Sequence, residues 1–268
     1  MPKVPDDPLA EIGSAPPTGG WTGTEVSVRL RRGAGGTVRV DGVLCRAPVW
    51  FHWDGATLWL VGSGASPVGE DRIRIRVDVG AGVAVAIRSV AATLVYAARG
   101  TGTRWDTEIH VAEGASVDWN PEPVILTERA RHEATTTVHA AGGADVRLDE
   151  VLVLGRAGEA TGALRSTLAV RIDDAPALLT SIDTSLPAWS GPAGVGNCSV
   201  IAHRLRVGPE KDPAVTADAS RRAALLQPAP GCRLAVVAAD DVSTARRSLD
   251  AVLTADLLSV IRPKHRGR

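Results

Sequence analysis

The chain has 268 residues, 44% of them hydrophobic, which is enough to bury a full core as one large domain or two small ones. Its 30 Lys and Arg balance 30 Asp and Glu, so the formal net charge is zero and there is no electrostatic footprint for nucleic acid or an anionic membrane. Low net charge permits self-association, a homo-oligomer or a permanent partner instead.

Residues 1–20, rich in Pro, Gly and Asp, read as a flexible arm. They hold no apolar core of a signal peptide, and no apolar run approaches the roughly 20 residues needed to span a bilayer. Cys45, Cys198 and Cys232 lie far apart without CxxC spacing, which argues against a disulfide framework and against a tetrahedral zinc site. The expected compartment is the cytoplasm.

From Glu25 onward, strands dominate. Val26–Leu30 and Val38–Val40 alternate at period two, and Ile73, Ile75 and Val77 form one apolar face opposite Arg74 and Arg76. With one Phe and one Tyr, the core must be built mainly from Val, Leu, Ile and Ala, and the β-branched share favours strands. Three strand-like runs end in a tight turn at Gly82, Gly114 and Gly143, with steps of 32 and 29 residues read from the numbering. That spacing predicts stacked β-hairpins or coils that bury a core only against each other. Val151–Leu154 is apolar throughout, as expected of a strand covered on both faces.

The loop Leu186–Asn197 carries Trp189 among Pro and Gly residues. Ala214–Leu226 reads as a weak helix. After Asp240 and Asp241, the residues Val242, Ala245, Leu249, Val252, Leu253 and Leu257 recur at helical steps and predict a C-terminal helix. The expected fold is mainly β: one large domain of stacked strands, solenoid- or sandwich-like, over 21–207, followed by a part with one or two helices over 208–268 packed on or beside it.

Catalytic and phosphate-binding motifs (GxSxG, HExxH, the P-loop) are absent from the sequence. His110, His132 and His139 sit in strand-like segments, and the seven-residue step puts His132 and His139 on opposite faces of an unbroken strand. Pro121 and Pro123 cannot donate to a sheet ladder, so the phrase Trp119-Asn120-Pro121-Glu122-Pro123 must lie at an edge, bulge or bend, a geometry able to aim Glu122 into a cavity. On residues alone, two further classes remain open. One is a β-repeat module binding a carbohydrate or protein ligand, favoured by seven Trp; the other is a repeat-fold hydrolase with paired carboxylates.

Four phrases in order carry a resemblance. They are Gly69-Glu70-Asp71, then Ala92-Thr93-Leu94-Val95-Tyr96, then Trp119 through Pro123, and finally Leu154-Gly155-Arg156 with Gly158-Glu159. The chain resembles the UreD (UreH) urease accessory proteins, with Leu94 in place of a usual Lys and Glu70 in place of a Gly. The resemblance implies a mostly β, non-enzymatic scaffold that assists nickel insertion into apo-urease together with UreF- and UreG-like proteins. It marks Gly69, Thr93, Tyr96, Trp119, Pro121, Pro123, Gly155 and Arg156 as family positions. No tightly bound cofactor is expected; transient Ni2+ would be handled by carboxylates, for which Asp71, Glu122, Glu128 and Glu150 are the candidates, since oxygen ligands release nickel more readily than clustered imidazoles or thiolates. The helix stripe Leu249, Leu253 and Leu257 is either packed on the β core, since an exposed Leu stripe risks aggregation, or offered to a partner, and the resemblance makes it the candidate partner surface.

Overall fold

The computed structural model describes residues 22–97, 100–186, 189–191, 194–209, 216–218 and 222–261, the side chains of 216–218 and 253–261 excepted. Its elements are strands β1 (Thr24–Arg32), β2 (Val38–Leu44), β3 (Val49–Trp53), β4 (Thr57–Gly62), β5 (Arg72–Val79), β6 (Ala84–Ser89), β7 (Thr93–Val95), β8 (Thr103–Val111), β9 (Ser116–Trp119) and β10 (Val124–Leu126). They continue with β11 (Arg131–Ala140), β12 (Asp145–Val153), β13 (Ala163–Ile172), β14 (Ala175–Asp183), β15 (Val200–Val207), β16 (Thr216–Asp218), β17 (Ala223–Ala229) and β18 (Cys232–Ala239), and end with helix α1 (Val242–Ile261).

The strands form two sheets. Sheet 1 has seven strands in the order β14-β13-β11-β8-β5-β1-β2, and its centre, from β1 to β13, is parallel. Sheet 2 runs β16-β17-β18-β15-β12-β9-β6-β4-β3, with β4, β6, β9 and β12 parallel. Among the places where the chain passes from sheet 1 to sheet 2, three join parallel strands of the two sheets, at β5–β6, β8–β9 and β11–β12. Gly82, Gly114 and Gly143 make these crossings with φ of 64°, 64° and 76°. In each turn the residue after the glycine donates its N–H to the carbonyl three residues back, at 3.0–3.1 Å. A positive φ at that turn position is open to Gly at no steric cost, so the three glycines recur at one structural point and stack the coils. The solenoid-like arrangement expected from their spacing is present.

The core lies between the sheets. Val26, Ile73, Ile75, Val77, Ile109 and Val138 of sheet 1 face Leu58, Val85, Val117, Val146 and Leu148 of sheet 2, all buried. A second cluster lies on the outer face of sheet 2, where Ala245, Leu249 and Val252 of α1 pack on Val151, Val200, Ala202, Leu225 and Val237. β12 is therefore covered on both faces, as its apolar run predicted: Val151 lies under the helix, while Leu152 points into the interior with Val95, Leu126 and Ile201. Asp241 caps α1, accepting from Thr244 N at 2.8 Å.

Two expectations are corrected. Ala214–Leu226 is not helical where it is described; β17 pairs antiparallel with β18, and β16 pairs with β17. Alanine-rich composition favours a helix locally, but ladder partners and burial of Ala223 and Leu225 against α1 override that preference. Leu249, expected in a partner-facing stripe, is fully buried under its own helix; the side chains of Leu253 and Leu257 lie outside the described residues. Among the described residues, no helix is long and apolar enough to cross a membrane.

Candidate functional site

A cavity of about 350 Å³ lies between the sheets, at the end remote from the glycine turns. It exists because sheet 2 is broken there. β6 gives way to β7, and β9 to β10, whereas β12 runs through and pairs with β9 by Asp145–Leu148 and with β10 by Leu152 and Val153. The break between β9 and β10 is the phrase Asn120-Pro121-Glu122-Pro123, where two prolines interrupt the ladder. Thr93 N donates to Pro123 O at 2.9 Å and Tyr96 N to Pro67 O at 3.2 Å. Two of the four phrases singled out in the sequence thus stack on one another beside the cavity, and Thr93, Tyr96, Trp119, Pro121 and Glu122 line it. Gly69 makes the turn before β5 with φ 65°. The fourth phrase follows β12: Arg156 Nε donates to Glu159 Oε1 at 2.8 Å, and Glu159 Oε2 accepts from Glu128 N at 3.2 Å.

The structure sorts the four candidate carboxylates into two pairs. Glu150 and Glu122 line the same cavity. Glu150 sits on β12; its Oε1 accepts from Thr136 Oγ1 at 2.6 Å, while its Oε2 is buried with no hydrogen-bond partner. Burial pushes its carboxyl above the ordinary range, and the Thr136 bond offsets part of that shift. Glu122 stands at the lip: its backbone N–H donates to Ser89 Oγ at 2.8 Å, and its carboxylate meets Arg246 of α1 at 3.2 Å. Asp71 instead ties a turn, accepting from Ser66 Oγ at 2.7 Å and Val68 N at 3.0 Å. Glu128 is exposed on the turn before β11 and does not line the cavity.

Sequence reasoning missed most of the polar lining. Thr107, His132, Thr136 and Ser166 of sheet 1 face the cavity. His132 is buried, with Nδ1 at 2.8 Å from Thr103 Oγ1, and burial takes its pKa down to about 4. His203 of β15 is paired in register with Glu150, hence on the same face of sheet 2, and burial takes its pKa down to about 4 as well. The available signal was parity: His132, Ala134 and Thr136 alternate on one strand face, which the structure turns inward. His139 lies on the opposite face, as its spacing predicted, stacked on His110 with ring centroids 4.5 Å apart. Among the described residues, no group of three or more His, Cys, Asp and Glu is arranged to hold a metal ion.

The outer face of sheet 2 carries an alternating charge row beneath and beside α1. Arg204 donates to Asp149 through Nε and a terminal nitrogen, both at 2.7 Å, and to Asp250 of α1 at 2.6 Å. Burial works to raise the Asp149 pKa, but the bonds from Arg204 and Arg147 outweigh it and hold the carboxyl below its ordinary value. Both Arg204 and Asp149 are buried, so removing either partner leaves an uncompensated charge. The row pins α1 in place, and Arg246 on that helix reaches the cavity lip.

The family model for the UreD urease accessory protein matches residues 26–268. This chain belongs to the UreD family. A UreD from Frankia casuarinae is 34% identical over 168 residues, covering 58% of this chain and 53% of its own length. A protein from Saccharopolyspora erythraea, urease accessory protein UreD 2, is 35% identical over 206 residues, 73% of this chain and 72% of that protein. A UreD from a Parafrankia species is 28% identical over 264 residues, 86% and 89% of the two chains. The chain thus spans about half of the Frankia casuarinae relative and a larger share of the other two. Of the eight positions that carried the resemblance, Thr93, Tyr96, Trp119 and Pro121 line the cavity, whereas Gly69, Pro123, Gly155 and Arg156 do not.

Proposed function

We propose that this UreD-family protein is a non-enzymatic scaffold for urease maturation in the cytoplasm, working with UreF- and UreG-like proteins on apo-urease. In this reading its cargo, Ni2+, passes through the interlayer cavity on oxygen ligands. The observation that supports it is Glu150, a buried carboxylate with one oxygen unpartnered, in a cavity whose lip carries Glu122 and whose walls add the hydroxyls of Thr107, Thr136 and Ser166. An unsatisfied buried carboxylate oxygen is costly to keep without a purpose. A single carboxylate with hydroxyls and water binds nickel more weakly than imidazole or thiolate clusters, which suits a cation that must be released. Asp71 is engaged in a turn and the exposed Glu128 lies off the cavity, so both drop out of the route in this reading.

The test is urease activation in cells carrying the urease structural and accessory genes. Glu150→Gln keeps the shape and the Thr136 bond but removes the negative charge. Activation is expected to fall at least about tenfold while melting temperature is held. Activation equal to wild type would remove Glu150, and with it the cavity route.

A further inference from the structure

Each parallel strand of sheet 1 from β5 to β13 carries an arginine within its first three residues: Arg72, Arg104, Arg131 and Arg165. Arg72 is opposite Arg104 in register, Arg104 opposite Glu133, and Glu133 opposite Arg165, so these four share the outer face. All four arginines line an open groove of about 510 Å³, together with Thr101 and Ser185.

The carboxylates nearby are already engaged. Asp183 accepts from Arg165 at 2.9 and 3.2 Å and from Ser185 N at 2.9 Å. Arg104 Nε is bonded to Asp106 at 3.0 Å, and Glu133 lies 3.9 Å from Arg104. Glu70, two residues before Arg72, is turned to Thr101 N and Oγ1 at 3.1 and 3.0 Å. Among the described residues, neither Arg72 nor Arg131 has a carboxylate within ion-pair distance, although Arg72 is near enough to help the Thr101 bonds hold the Glu70 carboxyl below its ordinary value, and both arginines are exposed. Arg72 and Arg104 stand opposite on neighbouring strands, and like charges so placed are unfavourable, a cost that an anion in the groove would relieve.

We propose that this groove binds an acidic segment of a partner protein, in extended form, with carboxylates seated at Arg72 and Arg131. Arg72 is level with Glu133 across β8, and Arg131 lies two residues earlier on β11, so the two arginines are about 12 Å apart. That span is close to the roughly 13 Å between positions i and i+4 on one face of an extended chain, and it exceeds what one small oxyanion can bridge. Arginine forks also match planar carboxylates.

The experiment is a titration of labelled hexaglutamate against the full-length protein at low salt, with inorganic phosphate as a separate arm. Three proteins are compared: wild type, Arg72→Ser/Arg131→Ser, and Arg31→Ser/Arg39→Ser. The last changes net charge equally at β1 and β2. Wild type and the β1/β2 variant should bind alike, and affinity should fall at least about tenfold in the groove variant and with added salt. Both groove arginines are exposed, and removing Arg72 takes away a like-charge neighbour of Arg104, so melting should be unchanged or slightly raised; should the double variant not fold, Arg131→Gln alone should still weaken binding about threefold. Absence of peptide binding, or equal loss in the β1/β2 variant, overturns the proposal. Phosphate binding without peptide binding overturns the protein partner and leaves a free oxyanion.

Discussion

The two ends of the space between the sheets are built from the same period-two strands, yet one is dry and the other polar. At the glycine-turn end, Val77, Val79, Ile109, Val111 and Val138 face Val83, Val85, Val117 and Val146, and every one is buried. At the proline end, the inward positions of the same strands become Thr103, Thr107, His132 and Thr136, facing Glu150 and His203. A strand's inward parity specifies only where a side chain points; its chemistry decides whether that stretch holds the fold together or serves a ligand. The dry end should therefore govern stability, and the polar end should cost stability in return for function.

Acid should break the polar end first. His132 and His203 have folded pKa values of about 4 against an ordinary 6.5. A base with a depressed folded pKa contributes stability fully above pH 6.5, and loses it as pH falls through the window from 6.5 to 4. The loss is about 3 kcal/mol per histidine by pH 4. Glu150, raised by burial, acts oppositely: it weakens the fold as pH rises above the ordinary carboxylate range. Urea denaturation at pH 7 and pH 4.5 should show the drop, and His203→Leu should remove about half of it. Equal pH dependence in wild type and His203→Leu would contradict a buried neutral histidine at this end.

The dry end should answer to volume alone. Ile109→Ala removes a fully buried side chain and should cost about 3–4 kcal/mol, lowering the urea midpoint at unchanged slope. Urease activation should follow the fraction folded and nothing more. A cost below about 1 kcal/mol would show that this end is not close-packed.

At Glu150 the two measures should separate. Glu150→Leu replaces a buried, half-satisfied carboxyl in apolar and hydroxyl surroundings, and is expected to raise stability by about 1 kcal/mol while abolishing activation. Loss of both together would assign Glu150 to the fold. The smallest effect belongs to the lip: the Arg246–Glu122 pair is exposed on both sides, 40% and 48%, so Arg246→Ala should shift stability by less than about 0.5 kcal/mol. Chemical denaturation of that variant checks it.

Much of the dry end was legible in the sequence. Ile73, Ile75 and Val77 alternate cleanly, and Gly82, Gly114 and Gly143 sit at one repeated turn because each needs a positive φ. Pro121 and Pro123 also declared the break in sheet 2, since a proline cannot donate to a ladder. The polar end was less legible. His132 and Thr136 read as ordinary strand residues until a second sheet covers their face, and His203 meets Glu150 only through the pairing of β12 with β15, over fifty residues apart in sequence. Helix propensity misled over Ala214–Leu226, where an antiparallel partner decides the matter. A 3.6-residue stripe marked Leu249 as apolar but could not say whether the covering surface was another protein or β15, β17 and β18 of the same chain.

The most direct measurement is the position of nickel itself. Crystals of the protein soaked in Ni2+ and measured at the nickel absorption edge should show an anomalous peak in the interlayer cavity within ligand distance of a Glu150 carboxylate oxygen, and the peak should vanish in Glu150→Gln. Nickel found only outside the cavity, with Glu150 unchanged and its second oxygen still unpartnered, would contradict the account.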